Sequence, residues 1–448
     1  MNAYLIAAAS SGSGKTTLTM GILRALARRG VQVQPCKCGP DYIDTQYHRI
    51  ACGRASYNID PWMHLGDEAV ATQALTIIEG CMGLFDGADG PMGSNAEVAE
   101  RLGVPLILVV NARSMAHSAA PLLYGYLHYR PTLRYAGVIF NNVGSSRHAQ
   151  MLRRAADEVG FPVLACIPRR PELSMPSRHL GLDLSERNRI SRLADLAADE
   201  VERQLDWAAL GLPERQEPRA GAAAPAPGAG SPCGNADSGR LSAPSISAEA
   251  DGAEGSARRP LICVARDEAF NFIYQETLDR LQRLGRLRFF SPLANEPVPR
   301  EADFVYLPGG YPEFFLPRLA ESRATMESLR LTGARILAEC GGMMYLGRSI
   351  DGAPMTGLLP FGTTMQGARL HLGYRKFRLP GGAELRGHEF HYSSILPGEP
   401  AACCTTPFLD AQERPVDTCL FRSGRIIASY VHWSPEAIVE LLTDENVE

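Results

Sequence analysis

The chain has 448 residues, of which 45% are hydrophobic and 21% charged, and its formal net charge is −4. That length exceeds one ordinary core, so two or three domains are expected. The mild negative balance argues against a nucleic-acid partner, and no run approaches the ~20 apolar residues of a membrane helix.

Residues 4–8 read as a short apolar strand, followed by Ser10-Ser11-Gly12-Ser13-Gly14-Lys15-Thr16-Thr17. Residues 18–28 have helical spacing, and Gly30 ends them. Further strands are expected at 31–33, 74–79, 105–111, 135–141 and 163–167. This alternation predicts a parallel sheet with helices on both faces. From residue 214 to 259 Ala, Pro, Gly and Ser dominate without an apolar period, as in a flexible linker. Strands and helices resume at 261–264 and continue through 287–290, 304–307, 335–338 and 426–431. The division is therefore 1–213, a linker 214–259, and 260–448, with two doubly wound α/β domains.

Strand, glycine-rich turn and helix in the first domain form a phosphate-binding loop. Backbone N–H groups of Gly12, Ser13, Gly14, Lys15 and Thr16, with Thr17 behind them, would cradle the phosphates of ATP. Lys15 would reach the terminal phosphates, and the Thr16 hydroxyl would hold Mg²⁺. The usual first glycine of such a loop is replaced by Ala9. Carboxylates recur at the next strand ends, in Lys37-Cys38-Gly39-Pro40-Asp41-Tyr42-Ile43-Asp44 and Glu79-Gly80-Cys81-Met82-Gly83-Leu84-Phe85-Asp86. Asp44 and Glu79 are the expected partners of Thr16 around the metal.

Ala338-Glu339-Cys340-Gly341-Gly342 follows a buried strand and reads as a nucleophile turn. His432, at the end of 426–431, is the expected base; His388 and His391 are equally readable as structural residues. The glycines of Pro308-Gly309-Gly310-Tyr311 could complete an oxyanion hole, Gly310 with Gly341. Eleven scattered cysteines, an odd number, read as mostly idle thiols, not a disulfide framework. Cys36-x-Cys38 and Cys403-Cys404 lack a second pair at zinc-binding spacing. The opening residues lack the basic start of a signal peptide, so a cytoplasmic location is expected.

Together these motifs, with Arg178-His179-Leu180-Gly181-Leu182, Ala265-Arg266-Asp267-Glu268-Ala269-Phe270, Gly387-His388-Glu389-Phe390-His391 and Ser429-Tyr430-Val431-His432, resemble the cobyrinate a,c-diamide synthase family. The resemblance implies an ATP domain similar to dethiobiotin synthetase and a class I glutaminase-like domain. It implies Cys340 as nucleophile on glutamine and His432 as its helper. It also implies a corrinoid acceptor lined by Asp41, Tyr42, Ile43, Glu79 and Asp86, activated as an acyl phosphate. Its small-molecule partners would be the macrocycle, glutamine and ATP, with a homodimer as candidate assembly. Class I glutaminases place a glutamate two residues after the histidine; here that position is Ser434, and Asn111 stands where relatives often carry aspartate. Hydrogenobyrinate and nickel sirohydrochlorin are alternative acceptors. A partitioning-type ATPase switch would explain the N-terminal half alone.

Overall fold

The run Ala-Tyr-Leu-Ile-Ala-Ala offers almost no polar side chain, and it forms a strand buried on both faces. In the computed structural model, which describes residues 2–66, 74–87, 90, 92–175, 184–212, 258–379, 381–397 and 407–443, this strand is the centre of a seven-stranded sheet. Its members are β1 (Ala3–Ala8), β2 (Val33–Cys38), β3 (Tyr57–Ile59), β4 (Leu75–Glu79), β5 (Leu106–Asn111), β6 (Tyr135–Val143) and β7 (Val163–Pro168). The order is β3-β2-β4-β1-β5-β6-β7, and every pairing is parallel. β1 lies between β4 and β5, so the winding reverses there and opens a crevice at the strand ends. Helix α1 (Lys15–Arg28) covers one face through Leu18, Ile22 and Leu23; Leu5, Ile78, Ala96 and Leu106 pack on the other.

The second half has β8 (Leu261–Ala265), β9 (Arg286–Phe290), β10 (Phe304–Leu307) and β11 (Arg335–Glu339). With the strands Leu420–Ser423 and Ile426–Ser429 they form a six-stranded sheet, parallel except at that outer hairpin and ordered from it as Ile426–Ser429, β11, β10, β8, β9. An antiparallel sheet lies beside it, built on His371–Arg378 and Glu384–His391, with His432–Trp433 at its edge.

Three expectations change. The strand expected at 31–33 begins at Val33 and runs to Cys38, because Gly30 (φ +70°) turns the chain and the Val31 N–H still bonds the Leu26 carbonyl. Lys37 and Cys38 thereby move from a loop into the buried sheet. The strand expected at 426–431 stops at Ser429, whose hydroxyl accepts the Val431 N–H at 3.1 Å. His432 then pairs with His388 in the other sheet instead of closing the first. Among the described cysteines seven are free thiols, as expected, whereas Cys419 is disulfide-bonded. The segment 214–259 lies outside the described residues except for Arg258 and Arg259, as do Arg178-to-Leu182 and Cys403-Cys404.

Candidate active site

Gly14, at φ +94°, turns the phosphate loop into α1. A Cβ there would stand 2.2 Å from Asn141 Nδ2, and that amide donates to the Ser13 carbonyl at 2.9 Å. Ser13 Oγ closes the loop on the Ser10 carbonyl at 2.8 Å. Lys15 Nζ donates to the Met82 carbonyl at 2.5 Å, so the lysine reaches across to the loop after β4. Burial and the nearby Lys37 charge lower its pKa. Such an ammonium gives up little hydration when it takes a phosphate oxygen instead.

Behind the loop, five side chains from four elements meet. Thr16 Oγ1 donates to Glu79 Oε1 at 2.6 Å and stands 3.5 Å from Asp44 Oδ2. Lys37 Nζ, nearly sealed from solvent, is 2.7 Å from Asp44 Oδ2 and 3.0 Å from Glu79 Oε1. His48 Nε2 is 2.8 Å from the other Glu79 oxygen. Burial pushes the Glu79 carboxyl up, but Lys37, His48 and Thr16 outweigh it and hold the group well below the usual carboxylate range. Lys37 is raised in turn: burial opposes its charge, and Asp44 and Glu79 more than offset that. Thr16, Asp44 and Glu79, the three residues expected around a metal, thus lie together. Their hard oxygen donors suit Mg²⁺, although the Lys37 ammonium already bridges the two carboxylates. Lys37 and His48 were not among the expected site residues. Lys37 stands in the same motif as Asp41 and Asp44, and that is its only sequence signal.

Asp41 Oδ1 accepts the N–H groups of Ile43 and Asp44 at 2.8 and 2.9 Å and so starts α2 (Ile43–Cys52). Asp86 is exposed and accepts the Gly83 N–H at 2.9 Å, close to the Ala9 carbonyl at the loop mouth. One oxygen of each therefore shapes a turn. Ile43 is half-buried beside an aromatic cluster. Tyr42 is placed differently from the expected acceptor lining. It is a buried member of that cluster, stacked on Phe272 (5.1 Å, 4°) and Tyr274 (4.4 Å), both from the second half.

Cys340 joins β11 to the helix Gly341–Leu346 at φ 42°, ψ −107°, a strained turn for a residue with a side chain. Its N–H bonds the Ser429 carbonyl at 2.8 Å. Burial raises the thiol, and the neighbouring Glu313 adds to this; the Gly341 N–H acts in the opposite sense. Glu313 is itself pushed up to about 7 by burial. A resting neutral thiol needs a base. A Cβ on Gly341 would lie 3.1 Å from the Gly310 nitrogen, so the two expected oxyanion-hole glycines do meet. A Cβ on Gly309 would strike His432 Cε1 at 2.2 Å; only glycine lets the ring approach this loop.

His432 is fully buried, and neither ring nitrogen has a hydrogen-bond partner. Burial, then the neighbouring His388 and His391, keep it neutral, well below the usual imidazole range. Its Nδ1 lies 3.9 Å from Glu339 Oε2. With that neutral ring beside it, burial pushes the Glu339 carboxyl up to about 8, against the pull of the Trp433 N–H and the Tyr306 hydroxyl. A proton on the ring would bring it down. His388 stacks on His432 at 5.1 Å and shares a contact with Tyr274 at 3.2 Å. His391 is satisfied by the Ser393 carbonyl at 2.9 Å and stacks on Tyr430. Among the described residues no cluster of His, Cys, Asp and Glu stands as a further metal site, and no helix is long and apolar enough to cross a membrane.

Fold and clusters together define a nucleotide-using glutamine amidotransferase with both functions on one chain. Residues 4–182 match the CobQ/CobB/MinD/ParA nucleotide binding domain, and 261–437 match the CobB/CobQ-like glutamine amidotransferase domain. Similar whole proteins include the hydrogenobyrinate a,c-diamide synthase of Brucella suis biovar 1 (strain 1330), 39% identical over 96% of this chain and 98% of that one. Another, from Rhodobacter capsulatus, is 39% identical over 95% and 97%. A third, from Rhizobium meliloti (strain 1021), is 38% identical over 96% and 99%. The chain belongs to the a,c-diamide synthase family of glutamine-dependent amide ligases.

Proposed function

We propose that this protein uses ATP and glutamine to amidate the a and c acetate groups of a corrin macrocycle in the cytoplasm. What carries the reading is the meeting of a thiol on a strained turn with a phosphate loop and its carboxylates across one aromatic join. The named relatives act on hydrogenobyrinate, which favours the metal-free ring over the cobalt-bearing cobyrinate. Any cobalt belongs to the substrate.

An acetate carboxylate repels nucleophiles until an oxygen is phosphorylated. In this reading the macrocycle's carboxylate oxygen attacks the γ-phosphorus of ATP, ADP leaves, and an acyl phosphate forms. Lys15 and the N–H groups of Gly12, Ser13, Gly14 and Thr16, with Thr17 closing the loop, hold the phosphates in line. Thr16, Asp44 and Glu79 would hold Mg²⁺, which supplies positive charge to the β- and γ-phosphates. Asp41 and Asp86 flank the crevice and exclude wrong poses by repelling misplaced carboxylates.

In the second half the Cys340 thiol passes its proton to His432, and the sulfur attacks the glutamine side-chain carbonyl carbon. The Gly310 and Gly341 N–H groups meet the oxyanion. The imidazolium returns the proton to the departing nitrogen as ammonia, and water then hydrolyses the thioester to glutamate. Ammonia displaces phosphate from the acyl group, giving the amide, and the cycle repeats at the second acetate.

Mass spectrometry of each macrocycle incubated with ATP, Mg²⁺ and glutamine tests the reading. Two successive losses of about 1 Da per molecule, the mass change from acid to amide, are expected for hydrogenobyrinate. An unchanged macrocycle with either ring, despite ATP and glutamine, would overturn it.

A further inference from the structure

Glu339 has no part in the chemistry set out above. It is the last residue of β11, one step before the nucleophile, and it is buried at 1% exposure. Both its oxygens are held: Oε1 accepts the Trp433 N–H at 2.9 Å, and Oε2 accepts the Tyr306 hydroxyl at 2.7 Å. These two bonds fix the carboxyl from two sides, since Tyr306 lies on β10 and Trp433 follows His432. An oxygen of a carboxylate accepts more than one hydrogen bond, so Oε2 retains capacity. The nearest cationic or potentially cationic group to it is His432 Nδ1 at 3.9 Å. That imidazole is sealed in the protein with both nitrogens unpaired.

A buried polar group without a partner is unfavourable, and an unanchored ring is a poor base because either nitrogen can carry the proton. Glu313 lies beside Cys340, and two other acidic side chains of this half are committed elsewhere. Glu389 is bound to Arg375 at 2.6 Å and Thr418 at 2.9 Å and faces His391. Glu436 pairs with Arg280 on the surface. Ser434, at the position of the usual third member, caps the last helix through the Ala437 N–H at 3.3 Å.

We propose that Glu339 is the positioning residue of the glutaminase half. Its carboxyl, ionised when the ring carries a proton, accepts the Nδ1–H of His432, so that Nε2 is the nitrogen that exchanges the thiol proton. The third member of the triad has moved from after the base to before the nucleophile. The observed 3.9 Å exceeds a hydrogen bond by about 1 Å. Catalytic hydrogen bonds often stand long in the free enzyme and tighten with substrate bound. The inference rests on the reading of Cys340 and His432 given above.

The test compares the full-length wild type, Glu339→Gln, His432→Asn and the double variant. Glutamine hydrolysis and ammonia-dependent amidation are measured in each. The glutamine side chain can still accept from Trp433, but its amide donates to Nδ1 and fixes the opposite tautomer. Glu339→Gln should lower glutaminase kcat by at least about 100-fold, with KM little changed and ammonia-dependent amidation intact. Adding Glu339→Gln to His432→Asn should cost almost nothing more, because the effect passes through the ring. A merely structural residue would add its own loss in the double variant, and that outcome overturns the proposal. So does Glu339→Gln hydrolysing glutamine like the wild type, or losing both activities together. If His432→Asn and Cys340→Ser themselves hydrolyse glutamine normally, the functional reading fails, and this inference with it; if only Glu339→Gln does, the inference alone fails.

Discussion

The ring of Tyr42 lies 5.3 Å from the ring of His432, although one belongs to the phosphate-site half and the other to the thiol half. Tyr42 immediately precedes α2, the helix whose Asp44 meets Lys37 and Thr16. One short segment therefore touches both chemistries. A change at the carboxylate cluster that tilts the start of α2 also moves an aromatic wall beside His432. Replacing Tyr42 by Ala should raise the glutamine hydrolysed per amide formed, while Tyr42→Phe, which keeps the stacked ring, should stay near the wild-type ratio. Parallel assays of glutamate and macrocycle amide measure this. Equal ratios in Ala and wild type would remove Tyr42 from any coupling role.

The thiol and the phosphate loop sit in separate sheets, so their losses should be separable. Cys340→Ser is expected to leave less than about 1% of glutamine-dependent amidation, since serine at this turn has no comparable nucleophile. Amidation with added ammonium should continue near the wild-type rate. Loss of both in a folded protein would contradict the division.

Lys15→Ala acts upstream of either nitrogen source. Amidation from glutamine or from ammonia should fall by at least about 100-fold, the scale of one charged contact to a transferring phosphoryl group. Glutamine hydrolysis without macrocycle should persist. Amide formation with ammonia and ATP at the wild-type rate would exclude the role.

The buried cluster also sets an acid limit on stability. Lys37 and His48 hold Glu79 below its unfolded value of 4.5. The unfolded chain therefore binds the proton first, and the stabilisation, complete above that value, is lost as pH falls through the folded one. Lys37→Met should cost about 3–5 kcal/mol at pH 7, because it strands two buried carboxylates. The gap to wild type should narrow as pH falls, first where the stranded carboxylates of the variant protonate and then below the unfolded value, where the wild-type cluster loses its stabilisation. Urea melts across that range, following the first half, measure it. A gap independent of pH would show that Lys37 does not act through charge.

Much of the arrangement could be read from residues close in sequence. The strand before Ser10 and the helix after Lys15 are signalled by local composition alone, and Thr16 meets Glu79 because consecutive strands of a parallel sheet end at one edge. Cys340 was legible because Gly341 and Gly342 leave few other reasons for such a turn. His432 was legible as a residue but not in its placement, because the switch between sheets depends on a single serine hydroxyl at Ser429. Glu339 and Tyr42 were not legible as functional partners of that ring. Their meeting depends on side chains about 90 and 390 positions away in sequence, and no local pattern records such contacts.

The aromatic join has a consequence for how this enzyme can be inherited and handled. Trp62, Met63 and Leu65 on one side face Phe272 and Tyr274 on the other, and Tyr374 bonds Asp60 across the boundary at 2.6 Å. Expressed apart, each portion would present this surface to water, where exposed apolar patches promote aggregation. A gene split at the middle would have to supply both products in equal amounts and together. Fusion in a single reading frame meets that stoichiometry automatically, and it also means that neither portion is free to drift toward another partner.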